Sequence, residues 1–400
     1  MTSPVRVLAL AFSIVSCGGD PPPSTDAGTD APPIACEGAP VLEVGDPEGH
    51  PEPLGAGPTE ARAGRIDGAS LPPFPSGLGV WDEGGFVLAN DRVAMVIEDV
   101  GPSHLYDPWG GRPLGIARVE GGALVDPADF GEILILTSRY TVMTTSVSVI
   151  ADGSDGGAAI VRASGPMRPL PFYEAITGSI LSTAYEGIDA AIDYVLEPGS
   201  STVDVRMTYA SSLDGAVRGI TTMHGFMYTP RMPAFAPDVG FDPHEAERIP
   251  FLAFTDERGV GFAYADPRGG LGAGIVASGF VSRFTPPVLI RGCDRTESHH
   301  ARITIGGPGV DALLAARAEE EGTALRTIEG VVRDASGAPA SGVRVHAVAD
   351  DERYRTRSMP TGDDGRYVLH VPSSEAGVRL FAYRQGDALV GPIELAADAT

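Results

Sequence analysis

Asp193-Tyr194-Val195-Leu196-Glu197-Pro198-Gly199-Ser200-Ser201-Thr202-Val203-Asp204-Val205-Arg206-Met207 alternates polar and apolar residues on both sides of a Pro-Gly step. A helix would need its apolar residues three and four apart, whereas a period of two places them on one side of a pleated strand. The stretch predicts an antiparallel hairpin turned at Pro198-Gly199, with one face packed and one wet.

The surrounding chain repeats this signal. Gly85-Phe86-Val87-Leu88, Val93-Ala94-Met95-Val96-Ile97, Ile133-Leu134-Ile135-Leu136 and residues 140–150 lie upstream, separated by Asn-Asp and Gly turns. Further β-rich runs fall at 158–163, 176–184, 219–226, 251–255, 259–265, 274–279, 288–291 and 301–305. More than a dozen short strands in one block predict an all-β fold: residues 80–309 form a large multi-strand β-sandwich or a barrel. One helix is expected, at 310–324, where Val310, Leu313, Leu314 and Ala318 make an apolar stripe. It reads as a connector over 310–326.

The chain opens with a single Arg in its first 36 residues, an apolar run of nine residues at 7–15, and then Ser16-Cys17-Gly18-Gly19. These are the parts of a secretory signal, and the run is too short to span a bilayer as a stable helix. Ile14-Val15-Ser16-Cys17 also resembles the lipobox of bacterial lipoproteins. That resemblance implies a signal segment over 1–17, lipid attached at Cys17 and, with Gly18 following rather than Asp, a cell-envelope location at the outer membrane. Residues 18–79 read as a Pro/Gly/Asp-rich tether and extended lead-in, disordered at least through Pro33. If Cys17 carries lipid, Cys36 and Cys293 remain, and an even pair in an exported chain reads as a disulfide. Two unpaired thiols are the alternative, because sequence gives no distance between them.

Composition narrows the partners. The 400 residues carry a formal net charge of −24, with 52 Gly and 35 Pro. Binding of nucleic acid, or of an anionic membrane face through charge, needs clustered cations, and no basic stripe is present. Membrane attachment would come through lipid on Cys17, where several acyl chains hold better than one.

A smaller unit occupies 327–400. Gly330-x-Val332-x-Asp334-x-x-Gly337-x-Pro339-x-x-Gly342-Val343-x-Val345, followed by Thr361-Gly362-Asp363-Asp364-Gly365-Arg366-Tyr367-Val368-Leu369, resembles the carboxypeptidase regulatory-like domain. The resemblance implies a small seven-strand-type sandwich like transthyretin, adding rigidity or contacts and carrying no catalytic groups. Ala382-Tyr383-Arg384-Gln385-Gly386 departs from the family's closing Gly-Tyr, which touches the last strand. Asn90-Asp91-Arg92-Val93, Tyr106-Asp107-Pro108-Trp109-Gly110-Gly111 and Asp152-Gly153-Ser154-Asp155-Gly156-Gly157 are similar to the N-terminal β-domain of large bacterial surface proteins. Those proteins continue into a metallohydrolase of the polymerase-and-histidinol-phosphatase type, whose clustered His and Asp motifs do not occur here. By strand count and its Leu-Glu-Pro-Gly hairpin, the large domain also resembles a mutarotase-type supersandwich.

Signatures of catalysis are missing: there is no HExxH, Walker loop, CxxC or nucleophile elbow, and Gly270-Leu271-Gly272-Ala273-Gly274 lacks a strand-turn-helix setting. Asp152, Ser154 and Asp155 could offer hard oxygens to Ca²⁺ or simply form a hairpin turn. His224, read at a strand end, precedes a loop bearing Asp242, His244 and Glu245. Two imidazoles with carboxylates could bind a metal or supply general acid and base; the plain alternative is a solvated acidic loop with one core histidine. His299 and His300, adjacent on a strand, should point to opposite faces. Among the aromatics near turns, Trp81 is expected to be buried, while Trp109 in its Pro-Trp-Gly-Gly turn is a candidate for stacking on carbohydrate. The expected role is non-catalytic, binding or displaying against carbohydrate or another envelope protein. The rival is a mutarotase-like or metal-assisted hydrolase using the His224/His244 loop, or the non-catalytic portion of a metallohydrolase.

Overall fold

A computed structural model describes residues 36, 40–72, 80–128, 131–177, 185–218, 222–241, 243, 246–277 and 279–396. Cys17 and the tether that follows it lie outside the described residues.

The hairpin forms where the alternation placed it. Ile188–Leu196 pairs antiparallel with Thr202–Ser211, from Ile188↔Ser211 to Leu196↔Val203, and Gly199 turns the chain at φ +69°. Pairing spreads outward on both sides, to Ala159–Pro169 on one flank and to Arg295–Gly306, Gly261–Ala265 and Phe251–Phe254 on the other. The strand Ala159–Pro169 serves two layers. Its first part pairs with the hairpin, while Met167 to Pro169 pair with Tyr140–Val142, which opens a second layer through Ile133–Thr137, Thr222–Met227 and Phe280–Thr285. Among the described residues, sixteen antiparallel strands thus form one sheet folded over on itself. Tyr194, Val205, Met207 and Tyr264 from the first layer share a core with Ile133, Ile135, Phe226 and Val281 from the second.

A separate five-stranded sheet, Ala61–Arg65, Phe86–Asn90, Val93–Ile97, Pro113–Glu120 and Ala123–Val125, is buried on both faces. Phe86, Leu88, Met95 and Ile97 join the main core, while Val87, Ala89, Val96 and Leu114 pack on Trp81, Leu54 and Ile66. Double coverage explains why these strands read as unbroken apolar runs rather than alternations. Two corrections follow. Ala61 and Ala63 are fully buried in this sheet, so the ordered large domain includes part of the 18–79 lead-in. At 176–177 the chain closes a short helix, α1 (Pro171–Thr177), started by its proline, rather than opening the strand expected over 176–184, and 178–184 lie outside the described residues.

The connector is a helix, α2, over Gly309–Glu320. Its Val310 and Leu313 pack on Phe251, Ala253, Ala263 and Ala265, the outer face of the first layer. The Glu320 carboxylate accepts hydrogen bonds from Ser200 Oγ (2.9 Å) and the Ser201 N–H, tying the helix end to the hairpin turn. Beyond α2 stands the small sandwich. Leu325–Val331 pairs with Arg366–Pro372, opposite a sheet of Tyr354–Arg357, Arg344–Ala349, Gly377–Tyr383 and Val390–Ala396. Ile328, Val345, Ala347, Leu369 and Leu380 fill it. Six strands form among the described residues where seven were expected, and the last strand does form.

This unit is fastened to the large domain. Buried Asp311 of α2 accepts from Thr356 Oγ1 (2.9 Å), from the His370 N–H (2.8 Å) and from the His370 ring Nδ1–H (2.7 Å). Glu257 takes the Arg344 guanidinium at 2.6 Å and Arg357 at 3.1 Å, and Tyr354 packs edge-on against Phe235 and Phe241.

Cys36 and Cys293 are joined in a disulfide, Cα–Cα 5.5 Å, across 257 residues of sequence. Such a bond persists in an oxidising compartment, so the folded domain is extracytoplasmic. No helix among the described residues is long and apolar enough to cross a membrane.

Candidate binding site

His224 lies inside the strand Thr222–Met227, not at its end, flanked by Ile135 and Arg283 on the neighbouring strands. It is fully buried, and so is His300 across the inter-sheet space, with the two rings 5.8 Å apart. Tyr264 OH lies 2.7 Å from His224 Nδ1; Tyr209 OH lies 3.2 Å from His300 Nε2 and 3.0 Å from Thr137 Oγ1. Burial drives the His224 pKa down to about 3, with the Arg268 charge adding to it, and lowers that of His300 well below the usual range. Both imidazoles are therefore neutral core groups, and His224 is corrected from a site residue to a core histidine. His300 enters the core through a bulge: Val205 pairs with Ala301 and Arg206 with His299, leaving His300 between them. His299 points the other way, to Asp204 at 3.1 Å.

Asp242, His244 and Glu245 lie outside the described residues. Their neighbours Pro243 and Ala246 are held through their carbonyls by the buried Arg283 guanidinium, on the strand beside His224. The backbone of that loop thus reaches the core, but no group of three His, Cys, Asp or Glu able to hold a metal occurs among the described residues. In the Asp152 turn the polar oxygens serve the turn itself. Asp152 accepts from the Ser154 N–H (2.9 Å) and Ser154 Oγ (2.8 Å), which hold its carboxyl below the usual range, and Asp155 accepts from the Gly157 N–H (2.9 Å). Gly153 at φ +82° makes the turn, where a Cβ would sit 1.7 Å from the Ala61 carbonyl oxygen.

The loop 101–112 is supported from within by buried ionisable groups. Asp107, Arg112 and Glu132 are all at most 1% exposed. Arg112 pairs with Asp107 at 2.7 Å and donates to Thr141 Oγ1 (2.8 Å) and the Val142 carbonyl (3.0 Å). Glu132, at the foot of the strand Ile133–Thr137, accepts the N–H groups of Tyr106 (2.9 Å) and Asp107 (2.8 Å) on its two oxygens. Tyr194 OH, from the founding hairpin, donates to the Gly111 carbonyl at 3.1 Å. One guanidinium faces two carboxyl groups here, and burial pushes Glu132 up to about 7.

What this cluster presents is aromatic. Tyr106 is 48% exposed and meets Phe172 of α1, 56% exposed, with ring centroids 5.3 Å apart and planes tilted by 57°. Trp109 is half-buried against the cluster of Leu134, Leu136, Leu170 and Met223, on which Tyr173 also packs. Trp81, by contrast, is buried as expected. Sequence reasoning found Trp109 and its turn but missed Phe172, which sits in the helix it did not anticipate. It also missed Glu132 and Arg112, because a carboxylate and a guanidinium near turns look solvated until the fold covers them.

No protein-family model matches the chain, and no curated protein matches it. Among solved structures the chain is similar to a TPR-domain-containing protein from Parabacteroides distasonis, at 9% identity and TM-score 0.34, over 61% of this chain and 54% of that one. It is similar to the Slr1438 protein from Synechocystis, at 9% identity and TM-score 0.33, over 59% of this chain and 98% of that one. A polysaccharide lyase is matched at 11% identity and TM-score 0.28, over 82% of this chain and 45% of that one. The chain thus spans about half the length of the first of these, and likenesses this distant leave the all-β sandwich to rest on the strands themselves.

Proposed function

We propose that the protein is a lipoprotein of the cell envelope, held at the outer membrane through lipid on Cys17, whose role is non-catalytic binding or display toward carbohydrate or another envelope component. The Cys36–Cys293 bond supports an exported chain. The resemblance of 327–395 to regulatory-like modules fits a rigid accessory unit, in keeping with its fixed contacts through Asp311 and Glu257. The observation that carries the binding role is the loop 101–112: an exposed Tyr106 ring on a turn braced by buried charges, meeting the exposed Phe172 ring of α1. Burying three ionisable groups costs stability unless the geometry is good, so a surface loop built on them serves the conformation it holds.

Detergent partitioning tests the location. The native chain should enter the detergent phase with a mass raised by acyl groups, and Cys17→Ser should move it to the aqueous phase. Equal partitioning of the two forms would defeat the anchor.

A further inference from the structure

We propose that the exposed ring pair Tyr106–Phe172, with Trp109 on the same loop as Tyr106, is a platform for neutral saccharides, binding pyranose rings by stacking; this rests on the binding role proposed above and specifies its ligand. A pyranose presents one face of C–H bonds whose partial positive charge suits the negative face of an aromatic ring. Two rings 5.3 Å apart and tilted by 57° offer two differently angled apolar surfaces rather than one flat wall.

Size argues against a protein partner. A stable protein interface needs about 800 Å² per side. Two aromatic side chains of about 150–250 Å² each, roughly half exposed, offer on the order of 200 Å². Charge decides the class of sugar. With a net charge of −24 the surface disfavours polyuronates and other anionic polymers, while uncharged glycans feel no such penalty. The rim supplies polar partners: Glu174, two residues from Phe172 and paired with Arg139, keeps its side chain 41% exposed to reach sugar hydroxyls. Pre-organisation completes the case. Tyr106 and Trp109 are held through their own backbone N–H groups, by Glu132 and Asp107 respectively, so the rings lose little freedom on binding.

The test uses the full chain in a detergent without a sugar head group, titrated calorimetrically with neutral gluco-, xylo-, manno- and galacto-hexasaccharides and with hexagalacturonate. At least one neutral series should bind with a Kd between about 10 µM and 1 mM, and hexagalacturonate should not. Tyr106→Ala and Phe172→Ala should each weaken binding about fivefold or more, Tyr106→Phe should retain it, and all three should melt with the parent protein. Binding that ignores these substitutions would remove the platform while keeping a binding protein. Absence of binding to every neutral series, or preference for hexagalacturonate, would overturn the saccharide class, with the partitioning result unaffected.

Discussion

Glu132→Gln perturbs the buried charges under the 101–112 loop while keeping the side chain's shape. In the folded protein burial pushes the Glu132 pKa to about 7, against 4.5 for the unperturbed group. The folded state therefore holds a proton that the unfolded chain releases between pH 4.5 and 7, so stability falls as pH rises through that window and is level beyond it. Two and a half pKa units at 1.36 kcal/mol each amount to about 3 kcal/mol. An amide does not titrate, and it offers one acceptor oxygen to the two N–H groups of Tyr106 and Asp107. Near pH 5 the native residue is itself a neutral acid with one carbonyl oxygen, so Glu132→Gln should cost no more than about 1 kcal/mol there. By pH 8 the difference should reverse, with the variant the more stable, because only the native residue then carries a buried charge. The assay is equilibrium urea unfolding of the oxidised protein at several pH values, reading the difference between variant and parent. Any slope from His224 and His300 is common to both and cancels. A difference constant to within about 0.5 kcal/mol from pH 4.5 to 8 would refute the reasoning.

Other consequences are equally specific. His224 is neutral in the fold down to about pH 3, whereas an unfolded histidine protonates near 6.5. The share of stability held by the two neutral imidazoles should therefore fall with decreasing pH below 6.5, by up to about 1.4 kcal/mol per unit for each of His224 and His300, opposite in sign to the Glu132 share. His224→Phe should flatten that acid limb by about half, at a neutral-pH cost of about 1–2 kcal/mol for the Tyr264 hydroxyl it leaves unpaired. Cys36→Ser opens a loop of 257 residues and should lower stability by up to about 5 kcal/mol, seen as a lower melting temperature that the parent reaches only under reducing conditions. Gly115→Ala would put a Cβ 1.8 Å from the Trp81 ring and should cost about 3 kcal/mol, with a shifted Trp fluorescence; an unchanged spectrum would speak against that packing.

How much of this was legible depended on which physical signal each element carries. The hairpin Ile188–Leu196/Thr202–Ser211 announced itself because a core face alternates with a polar one and the Pro-Gly turn fixes its register. Helix α2 was legible from its apolar stripe for the same reason. Ala61-Arg62-Ala63-Gly64-Arg65 has no branched or aromatic residue, so nothing local marks it as a strand; it becomes one by pairing with Phe86–Asn90. Helix α1 was hidden because Phe172, Tyr173 and Ile176 favour strands, and seven residues are too few for a helical period to emerge. The disulfide was legible as chemistry, from an even pair of exported cysteines, and so was the long loop it closes, but the approach of the two residues to 5.5 Å was not. At the site, the Trp109 turn was visible while its support was not. Asp107, Arg112 and Glu132 converge from sequence positions up to 25 apart, and only the covering sheets turn them from surface charges into a buried cluster.

Hydrogen exchange at the Tyr106 and Asp107 amides of the free protein tests most directly whether the ring-bearing loop is braced before any ligand arrives. If Glu132 holds both N–H groups, these amides should exchange at least about a thousandfold more slowly than an unstructured chain, and Glu132→Gln should remove much of that protection. Exchange in the native protein at rates typical of an open surface loop would contradict a pre-formed binding face.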